Sequence, residues 1–502
     1  MRKYGLILLI VALLTMPCVY AKSSPKLSAK KLTITVGKTK GLTVKNTTKK
    51  AKWSRTKKIV TLKTKGKKKH KVVIKALKPG KCYVKVKVGK KTLKCKVIVK
   101  KKPSKLDDEF KEKPISTEDI TSRIQKDEVE DKAIDDNFKL AFANVSIGML
   151  QKLSNENRNI LISPDSILTA FAMVENGADG NTLAEMESVF GVSNDDMNKY
   201  FHRLNTTLQS SQAVKYKLAD SIWYRSGRLN VKDDFLKKNV DFLDAHIFEA
   251  AFNEVTLVDI NNWVYNNTQG MIEKIIDKLS EDSVMVLLNA IYFEGDWSKQ
   301  YADSSIKNEP FYNDDRSVQK TTKIMYGIER NYVNIKGAHG FLKTYKGGKM
   351  FFMGIETPEG KTVDEFLATL SGSDFVNGFK NRTSEYEVHT KMPEFKYSYD
   401  TSLVNTLKSL GIVEAFNPFG ANFNRMATMK PNQNVYISDV LHKTQIEVNK
   451  EGTKAAAATG IIIEDAMDMP AEAKYVNLDH PFIYAIVDEN GIPLFIGVLR
   501  TV

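Results

Sequence analysis

Acidic side chains are missing from the first hundred residues of this 502-residue chain. The first acidic residue is Asp107, whereas residues 22–105 carry 32 Lys and Arg. The remainder, 106–502, is acidic, with 59 acidic and 42 basic residues. So sharp a division of charge indicates a basic module joined to an acidic one.

Aromatic residues are also scarce in the basic part, where Trp53 and Tyr83 stand nearly alone. Proteins that bind single-stranded nucleic acid stack bases on aromatic side chains, so no nucleic-acid partner is predicted. The lysines could attract an anionic surface polymer, such as teichoic acid or a sulfated glycan, or form a solvated face without a dedicated ligand. The sequence leaves these two alternatives open.

Cysteine is rare, with Cys18, Cys82 and Cys95 as the three examples. None has the spacing of a zinc site or a redox motif, and no metal or cofactor is predicted. If Cys18 is removed with the N-terminal segment, the other two permit one disulfide. Both lie in a predicted hairpin whose turn at Gly89-Lys90 makes them diagonal neighbours. A disulfide and two reduced core thiols therefore remain alternatives.

Motifs of catalysis are equally scarce. The chain has no HExxH, no paired CxxC and no GxSxG, and its seven His residues follow no metal or triad pattern. No enzyme is predicted.

Apolar runs long enough to span a bilayer are absent. Two basic residues precede the apolar stretch 6–14, and the pattern around Ala21 fits a small-residue cleavage site. The stretch is shorter than a membrane-spanning helix requires. Residues 1–21 are therefore predicted to be a signal peptide, and the protein to be secreted, with association at the cell surface left open.

Residues 22–101 contain short runs in which Lys alternates with apolar residues, a pattern typical of half-buried antiparallel strands. Strands are predicted at 32–36, 41–44, 58–63, 71–76, 82–88 and 92–99. This stretch resembles the group 2 bacterial immunoglobulin-like domain, on the motifs LTITVG, WS, ALKPG and KVIV. The resemblance implies a small all-β immunoglobulin-like sandwich of the kind used as a spacer or adhesive module.

The pattern changes twice after this module. Residues 102–132 are rich in Lys, Asp and Glu, and they are predicted to form a charged, partly disordered linker. Residues 133–502 mix helical and strand patterns. Ser163-Pro164 predicts a helix start, and the apolar run 284–293 predicts a buried strand.

The segment 447–459, EVNKEGTKAAAAT, has an unusual run of small residues after Gly452. In an extended conformation, the alternate residues from Thr453 onward form one uncharged face, and Lys454 lies on the other. Such a segment can be an exposed loop and still fit into a sheet as a buried strand. Its composition alone is equally compatible with an Ala-rich helix or a flexible linker.

Residues 133–502 resemble the serpin family along nearly their whole length. The resemblance rests on ISPDSI at 162–167, LNAIYFEGDW at 288–297, MPEF at 392–395, the segment 447–459, and DHPF at 479–482. It implies a large α+β domain with a central, mainly antiparallel sheet, and the activity of a suicide inhibitor of serine proteases. An exposed reactive loop, about 450–477, is offered as bait, and after cleavage its N-terminal side inserts into the sheet as a new strand.

The resemblance also assigns roles to residues. The scissile bond is expected at or near Ala466-Met467, which favours an elastase-like target. A polar cluster called the shutter, which holds the sheet closed, comprises Ser163, Ser166, Asn289 and His442. The hinge of the loop comprises Lys450, Glu451, Gly452, Thr453, Lys454, Ala455, Ala456, Ala457, Ala458 and Thr459.

Three positions depart from the family pattern. The family commonly has Glu where this chain has Lys450 and Lys454. Lys454 is expected to be tolerable because it faces outward, whereas an ion pair at Lys450 is expected to be missing or reversed. Asp165 is unusual beside Pro164, and it is expected to reach solvent or a helix N-terminus.

The sequence therefore predicts a secreted, monomeric inhibitor whose partner is a serine protease. The alternative is a non-inhibitory surface binding protein in which the basic module does the binding.

Overall fold

The computed structural model describes residues 24–78, 80–100, 111–211, 213–280, 283–429, 434–453 and 472–502. The predicted signal peptide lies outside these residues. The chain divides into two compact units, Met1–Ser104 and Lys105–Val502. Within the described parts, no helix combines the length and the apolar character needed to cross a bilayer.

The first unit consists of two four-stranded sheets, with strand orders β1-β3-β6-β5 and β2-β8-β7-β4. Its strands are β1 (Lys26–Leu27), β2 (Lys31–Thr35), β3 (Thr39–Lys45), β4 (Ala51–Arg55), β5 (Val60–Lys65), β6 (Lys71–Ala76), β7 (Gly80–Val88) and β8 (Lys91–Lys100). Apolar residues from both sheets, among them Ile34, Leu42, Val84 and Val97, share one core. The alternating lysines are thereby left on the wet faces, as period-two patterning requires.

Cys82 and Cys95 are both buried and both free. Cys82 is paired with Val97, and Cys95 is paired with Val84, so the two thiols are diagonal neighbours across the β7–β8 hairpin. This is the geometry expected from a turn at Gly89. Of the two alternatives left by the sequence, the structure has the reduced core thiols, and burial raises the pKa of both.

The second unit is a large α+β domain. Its helices are α1 (Asp136–Leu153), α2 (Pro164–Glu175), α3 (Gly180–Phe190), α4 (Asn194–Gln209), α5 (Asp233–Leu243), α6 (Glu254–Asn267), α7 (Val363–Thr369), α8 (Gly372–Lys380) and α9 (Val404–Leu410). Helix α2 begins as predicted, because the Ser163 hydroxyl accepts a hydrogen bond from the Ser166 N–H and Pro164 occupies the first turn.

The strands of the second unit form three main sheets and one short pair. They are β9 (Ile160–Ile162), β10 (Val214–Arg225), β11 (Leu229–Val231), β12 (His246–Ala250), β13 (Met285–Asp296), β14 (Ile306–Tyr312), β15 (Val318–Glu329), β16 (Asn331–Ile335), β17 (Ala338–Thr344), β18 (Met350–Glu356), β19 (Glu387–Pro393), β20 (Phe395–Ser402), β21 (Ala427–Met429), β22 (Asp439–Val448), β23 (Gly452–Thr453), β24 (Ala473–Asn477), β25 (Phe482–Asp488) and β26 (Pro493–Leu499).

The central sheet has the order β12-β10-β13-β23-β22-β20. A second sheet has the order β16-β17-β18-β25-β26-β9, a third has β14-β15-β19-β24, and β11 pairs with β21. Most neighbours in the central sheet are antiparallel, while the β10–β12 and β13–β22 pairs are parallel. Helix α2 is buried along its whole length between the central and second sheets, which places it directly beneath the strands that matter below.

The sequence predicts a linker over residues 102–132, but its described part, 111–132, belongs to the second unit and packs against the rest of it. Asp259 of α6 accepts four hydrogen bonds, from the N–H and hydroxyl groups of Ser116 and Thr117, at 2.7–3.1 Å. Ile115 adds an apolar contact beside α6. Ser116 and Thr117 of this segment therefore bind a specific partner on α6, which a composition argument for disorder does not detect.

Removing the Asp259 carboxylate should detach this segment. Burial alone would raise the pKa of Asp259, but the hydrogen bonds from Ser116 and Thr117 outweigh it and lower the pKa. We expect Asp259→Ala to destabilise the second unit by about 2 kcal/mol, because hydrogen bonds to a charged acceptor are lost. Thermal unfolding and limited proteolysis near Ser116 would measure this loss. Exposed Asp234→Ala is the matched control, and equal effects of the two variants would contradict the assignment.

Candidate functional site

The central sheet is closed at one end and parted at the other. Strands β13 and β22 pair directly in parallel over residues 286–290 and 439–443. Toward their other ends, the two residues of β23 lie between them. Thr453 is opposite Gly295 of β13 and Val448 of β22, antiparallel to both. The sheet thus contains the first two residues of an additional strand.

Gly452 is required by close approach. A Cβ atom at this position would lie 2.1 Å from the carbonyl oxygen of Gly295 and 2.8 Å from the Cα of Asp296. Its backbone is not in the left-handed region. The glycine therefore lets β23 enter beside β13, which is a different reason from the conformational freedom usually credited to a hinge glycine.

Thr453 is already buried, with 2% of its surface exposed. Its hydroxyl shares a hydrogen bond with the Tyr345 hydroxyl. The Tyr345 ring stacks on Trp297, with centroids 4.5 Å apart and planes inclined by 21°. Thr453, the first of the small residues after Gly452, therefore packs against a preformed aromatic surface made by Tyr345 and Trp297.

The turn before β23 is held from one side. The Trp297 backbone N–H donates to the carbonyl oxygen of Glu451 at 2.9 Å, and its indole N–H donates to the carbonyl oxygen of Asn449 at 2.9 Å. The Tyr301 N–H donates to the carbonyl oxygen of Lys450 at 3.1 Å. The segment that follows β13 therefore fixes where the loop departs from the sheet.

Lys450 forms an ion pair with Asp303. The hydrogen bond that Lys450 donates to Asp303 raises the pKa of Lys450 and, reciprocally, the Lys450 ammonium lowers the pKa of Asp303. Because Asp303 is exposed, solvent screens this pair. An ion pair is present at this point with a lysine on the loop side, so the expectation of a reversed pair agrees with the geometry.

Beneath the closed end, buried polar side chains form one connected chain of hydrogen bonds. The Ser163 N–H donates to Nε2 of His442 at 3.2 Å, and Nδ1 of His442 contacts Oδ1 of Asn289 at 2.5 Å. The Asn289 amide then donates to Asp220 at 3.0 Å, and the Ser166 hydroxyl donates to the same carboxyl oxygen at 2.8 Å. The chain links α2, β10, β13 and β22.

His442 is neutral in this network. Burial lowers its pKa to about 3. Since Nε2 accepts from Ser163, the proton lies on Nδ1 and is donated to Asn289. The imidazole therefore bridges the two strands that would separate if another strand were inserted between them.

The second unit thus combines a central sheet that is open at one end with a buried network of polar side chains beneath its closed end. The family model described as "Serpin (serine protease inhibitor)" matches residues 141–501. The chain belongs to the serpin family.

Relatives share most of this serpin domain. Iripin-8 of Ixodes ricinus is 30% identical over 402 residues, covering 76% of this chain and 97% of that protein. Leukocyte elastase inhibitor of Xenopus tropicalis is 29% identical over 371 residues, covering 70% and 95%. The crystal structure of the thermophilic serpin tengpin in the native state has a TM-score of 0.73 at 36% identity, covering 77% of this chain and all of that one.

The structure brings together Ser163, Ser166, Asn289 and His442, and it places the hinge residues 450–453 at the mouth of the parted sheet. The rest of the predicted hinge, Lys454, Ala455, Ala456, Ala457, Ala458 and Thr459, and the predicted scissile residues Ala466 and Met467, lie outside the described residues.

Sequence reasoning missed two buried carboxyl groups of this serpin domain, that of Asp220 within the polar network and that of Asp165 beside it. Asp165 is fully buried rather than solvent-exposed, and it accepts a hydrogen bond from the Tyr216 hydroxyl. Burial, helped by nearby Asp488 and opposed by the hydrogen bond from Tyr216, raises the pKa of Asp165 to about 7. Burial also raises the pKa of Asp220 well above its usual range. A buried Asp beside Pro164 was the available signal, since an acid in an otherwise apolar helix needs a partner.

Raising the pH should weaken the native state through Asp165. Its folded pKa of about 7 exceeds the unfolded value near 3.9, so the native state binds the extra proton. The contribution of this group is fully present below about pH 4 and is lost as pH rises through about 7. Asp165→Asn should match the parent at pH 4 and exceed its stability by about 2–4 kcal/mol at pH 8. Chemical unfolding at both pH values measures this difference.

The control for that measurement is the exposed Asp234→Asn. It should follow the parent at both pH values. A difference between Asp165→Asn and the parent that does not change with pH would show that Asp165 is not the titrating group.

Proposed function

We propose that this chain is a secreted inhibitory serpin that traps serine proteases through its reactive loop. The protease attacks the loop at or near Ala466-Met467 and becomes acylated. The loop N-terminal to that bond then inserts between β13 and β22, carrying the protease with it before deacylation. The observation that carries the proposal is β23, which already occupies the entrance to that gap.

The register of β23 defines where an inserted loop would run. Thr453 is opposite Gly295, so an antiparallel continuation puts Ala458 opposite Ala290. Ala290 is the last residue of the β13 segment that pairs directly with β22. Insertion would therefore require the β13–β22 pairs to separate, and the His442–Asn289 contact is among them.

The same register accounts for Lys454. The next residue pair after Thr453–Gly295 would be Lys454–Glu294, and directly opposed residues lie on the same face of a sheet. Glu294 is half-buried and already accepts a hydrogen bond from Lys215. A cross-strand carboxylate supports insertion of this lysine, which would otherwise be costly.

The length of the loop supports Ala466 as the attacked residue. Fourteen residues, 453–466, at roughly 3.3 Å each would span roughly 46 Å. In the register above, residue 463 reaches Met285, where β13 begins. The acyl bond at Ala466 would then lie just beyond the far end of the sheet, so insertion would be complete when the protease reaches that edge.

An elastase-like target fits the small and medium apolar residues at 466 and 467. The name of the Xenopus tropicalis relative, leukocyte elastase inhibitor, supports the same class. Secretion is proposed from the N-terminal sequence 1–21. The basic unit is proposed to be an immunoglobulin-like module that binds an anionic surface polymer through its lysine-rich faces.

Mixing the protein with an elastase-type protease should give a covalent complex. We expect an SDS-stable band of the combined mass and a released C-terminal peptide beginning at or near Met467. Trypsin should not be trapped by the parent, whereas Ala466→Arg should trap trypsin and lose the elastase-type complex. Cleavage of the loop by a panel of serine proteases without any covalent complex would contradict inhibition and favour a binding role.

Thr453→Arg should convert the inhibitor into a substrate. Thr453 lies in a buried site against Tyr345, so a charged side chain would have to be desolvated before the loop could insert. Because hydrolysis competes with insertion, the covalent complex should fall by at least about tenfold while loop cleavage continues. Gel analysis of complex and cleaved product measures the partition.

Thr453→Val is the matched control, since it has the size of Thr and can enter the core. It should keep most of the complex formation, with a modest loss from the missing hydrogen bond to Tyr345. Equal losses in the Arg and Val variants would show that burial of a charge at this position is not the barrier.

A further inference from the structure

A cavity of about 560 Å³ lies beside the segment that holds the hinge. Its walls come from residues 299–305, from the ends of β15 and β19, and from β24. The volume falls within the range of about 300–1,000 Å³ typical of small-molecule sites. This cavity is separate from the shutter and from the gap between β13 and β22.

One wall is aromatic and open to solvent. Tyr475 is 64% exposed and stacks against the His389 ring, with centroids 5.2 Å apart and planes inclined by 22°. Ile328, also on this wall, is 46% exposed. Exposed apolar side chains grouped around a cavity are typical of a binding site, because scattered ones would not share a concave surface.

The floor is polar and buried. Lys343 is 3% exposed and forms an ion pair with Glu329 at 2.6 Å, and its ammonium lies 4.1 Å from the centre of the Tyr301 ring. The hydroxyl groups of Tyr301 and Thr390 are buried and adjacent, and apart from each other they have no hydrogen-bond partner within the described part of the chain. Because buried hydroxyls are usually satisfied and two hydroxyls that bond to each other keep one proton free, the pair can donate to a bound molecule.

Charge selects among possible ligands. Three lysines, Lys299, Lys343 and Lys391, line the cavity, against the single carboxylate of Glu329. Glu329 neutralises Lys343, and Lys391 lies 3.6 Å from Asp479. Lys299 is within ion-pair distance of no carboxylate among the described residues. The lining is therefore positive overall, with one cation at the rim available to an incoming anion.

We propose that this cavity binds a small organic anion with a flat apolar ring system, such as an aromatic carboxylate or sulfonate. The ring would stack on Tyr475, the anionic group would be paired by Lys299, and the buried hydroxyls would donate to its polar atoms. A neutral flat molecule would lose the Lys299 interaction, and a small inorganic anion would leave the aromatic wall uncovered. Binding at this cavity does not depend on inhibition of a protease.

A ligand bound in the cavity would also stabilise the position of the hinge. Gln300 and Tyr301 line the cavity, and both bind the loop departure point: the Gln300 amide donates to the Glu451 carbonyl oxygen at 3.2 Å, and the Tyr301 N–H to that of Lys450. A ligand that packs against this wall stabilises the conformation in which the hinge is held. Thermal unfolding of the native protein should therefore shift upward with ligand concentration.

The test is a fluorescence titration of the full chain with 8-anilinonaphthalene-1-sulfonate, compared with its uncharged analogue N-phenyl-1-naphthylamine. The anion should bind at one saturable site and raise the unfolding temperature. Tyr475→Ala should weaken it by about tenfold through loss of stacking. Lys299→Glu should weaken the anion by about fivefold and leave the neutral analogue nearly unchanged.

Two variants serve as matched controls. Phe419→Ala removes an aromatic side chain that is 95% exposed outside the cavity, and Lys361→Glu reverses a surface charge elsewhere. Both should bind the probe like the parent. Lack of a saturable site, equal affinity for the two probes, or equal losses in the cavity variants and their controls would each overturn the proposal. Lys299→Glu changes an exposed residue, so the test remains decisive even if Tyr475→Ala fails to fold.

Discussion

The two residues of β23 between β13 and β22 are the constraint on which the rest of this serpin domain depends. To admit part of a strand, the central sheet must hold β13 and β22 apart at one end while they stay paired at the other. Gly452 makes the entry sterically feasible, because the Gly295 carbonyl leaves no space for a side chain. The contacts of Trp297 and Tyr301 with the preceding turn then fix the point at which the loop departs from the sheet.

Hydrogen bonds between buried polar side chains hold the closed end of the central sheet. His442, Asn289 and Ser163 form a satisfied chain of hydrogen bonds across two strands and a helix, and such networks fix a unique register. Asp220, which belongs to this network, keeps one buried carboxyl oxygen without a hydrogen bond from any described residue. That oxygen leaves the network less stable than a fully satisfied one, which suits a contact that must open in the proposed mechanism.

Sequence patterns predicted the elements whose periodicity is regular. The run 284–293 appears as β13, and Ser163-Pro164 begins α2. Strands β1 and β4 were missed, because β1 has two residues and β4 is largely exposed with little alternation. The packed segment 111–132 was read as a linker, since composition reports charge but not the partner that Asp259 supplies.

The candidate site, like the fold, was predicted in part from the sequence. A resemblance predicted the hinge and the shutter, because the hinge is one run of small residues and the shutter residues belong to motifs that the resemblance matches. It did not reveal that Asp220 joins the network or that Asp165 is buried against Tyr216, since these partners come from different elements and meet only in the fold. The ion pair of Lys450 with Asp303 likewise joins residues far apart in the chain.

The backbone hydrogen bonds of the central sheet explain why insertion would be favourable once the β13–β22 pairs have separated. The direct β13–β22 contact is a parallel ladder over five residue pairs, and both strands extend beyond it. A strand inserted in the register of β23 is antiparallel to both neighbours, as Thr453 already is to Gly295 and Val448. One short parallel ladder would be exchanged for two longer antiparallel ones, and antiparallel pairing is somewhat more stable per residue. In the proposed mechanism, the balance would therefore favour insertion once the β13–β22 pairs separate, and the buried polar chain around His442 would be the barrier that insertion has to overcome.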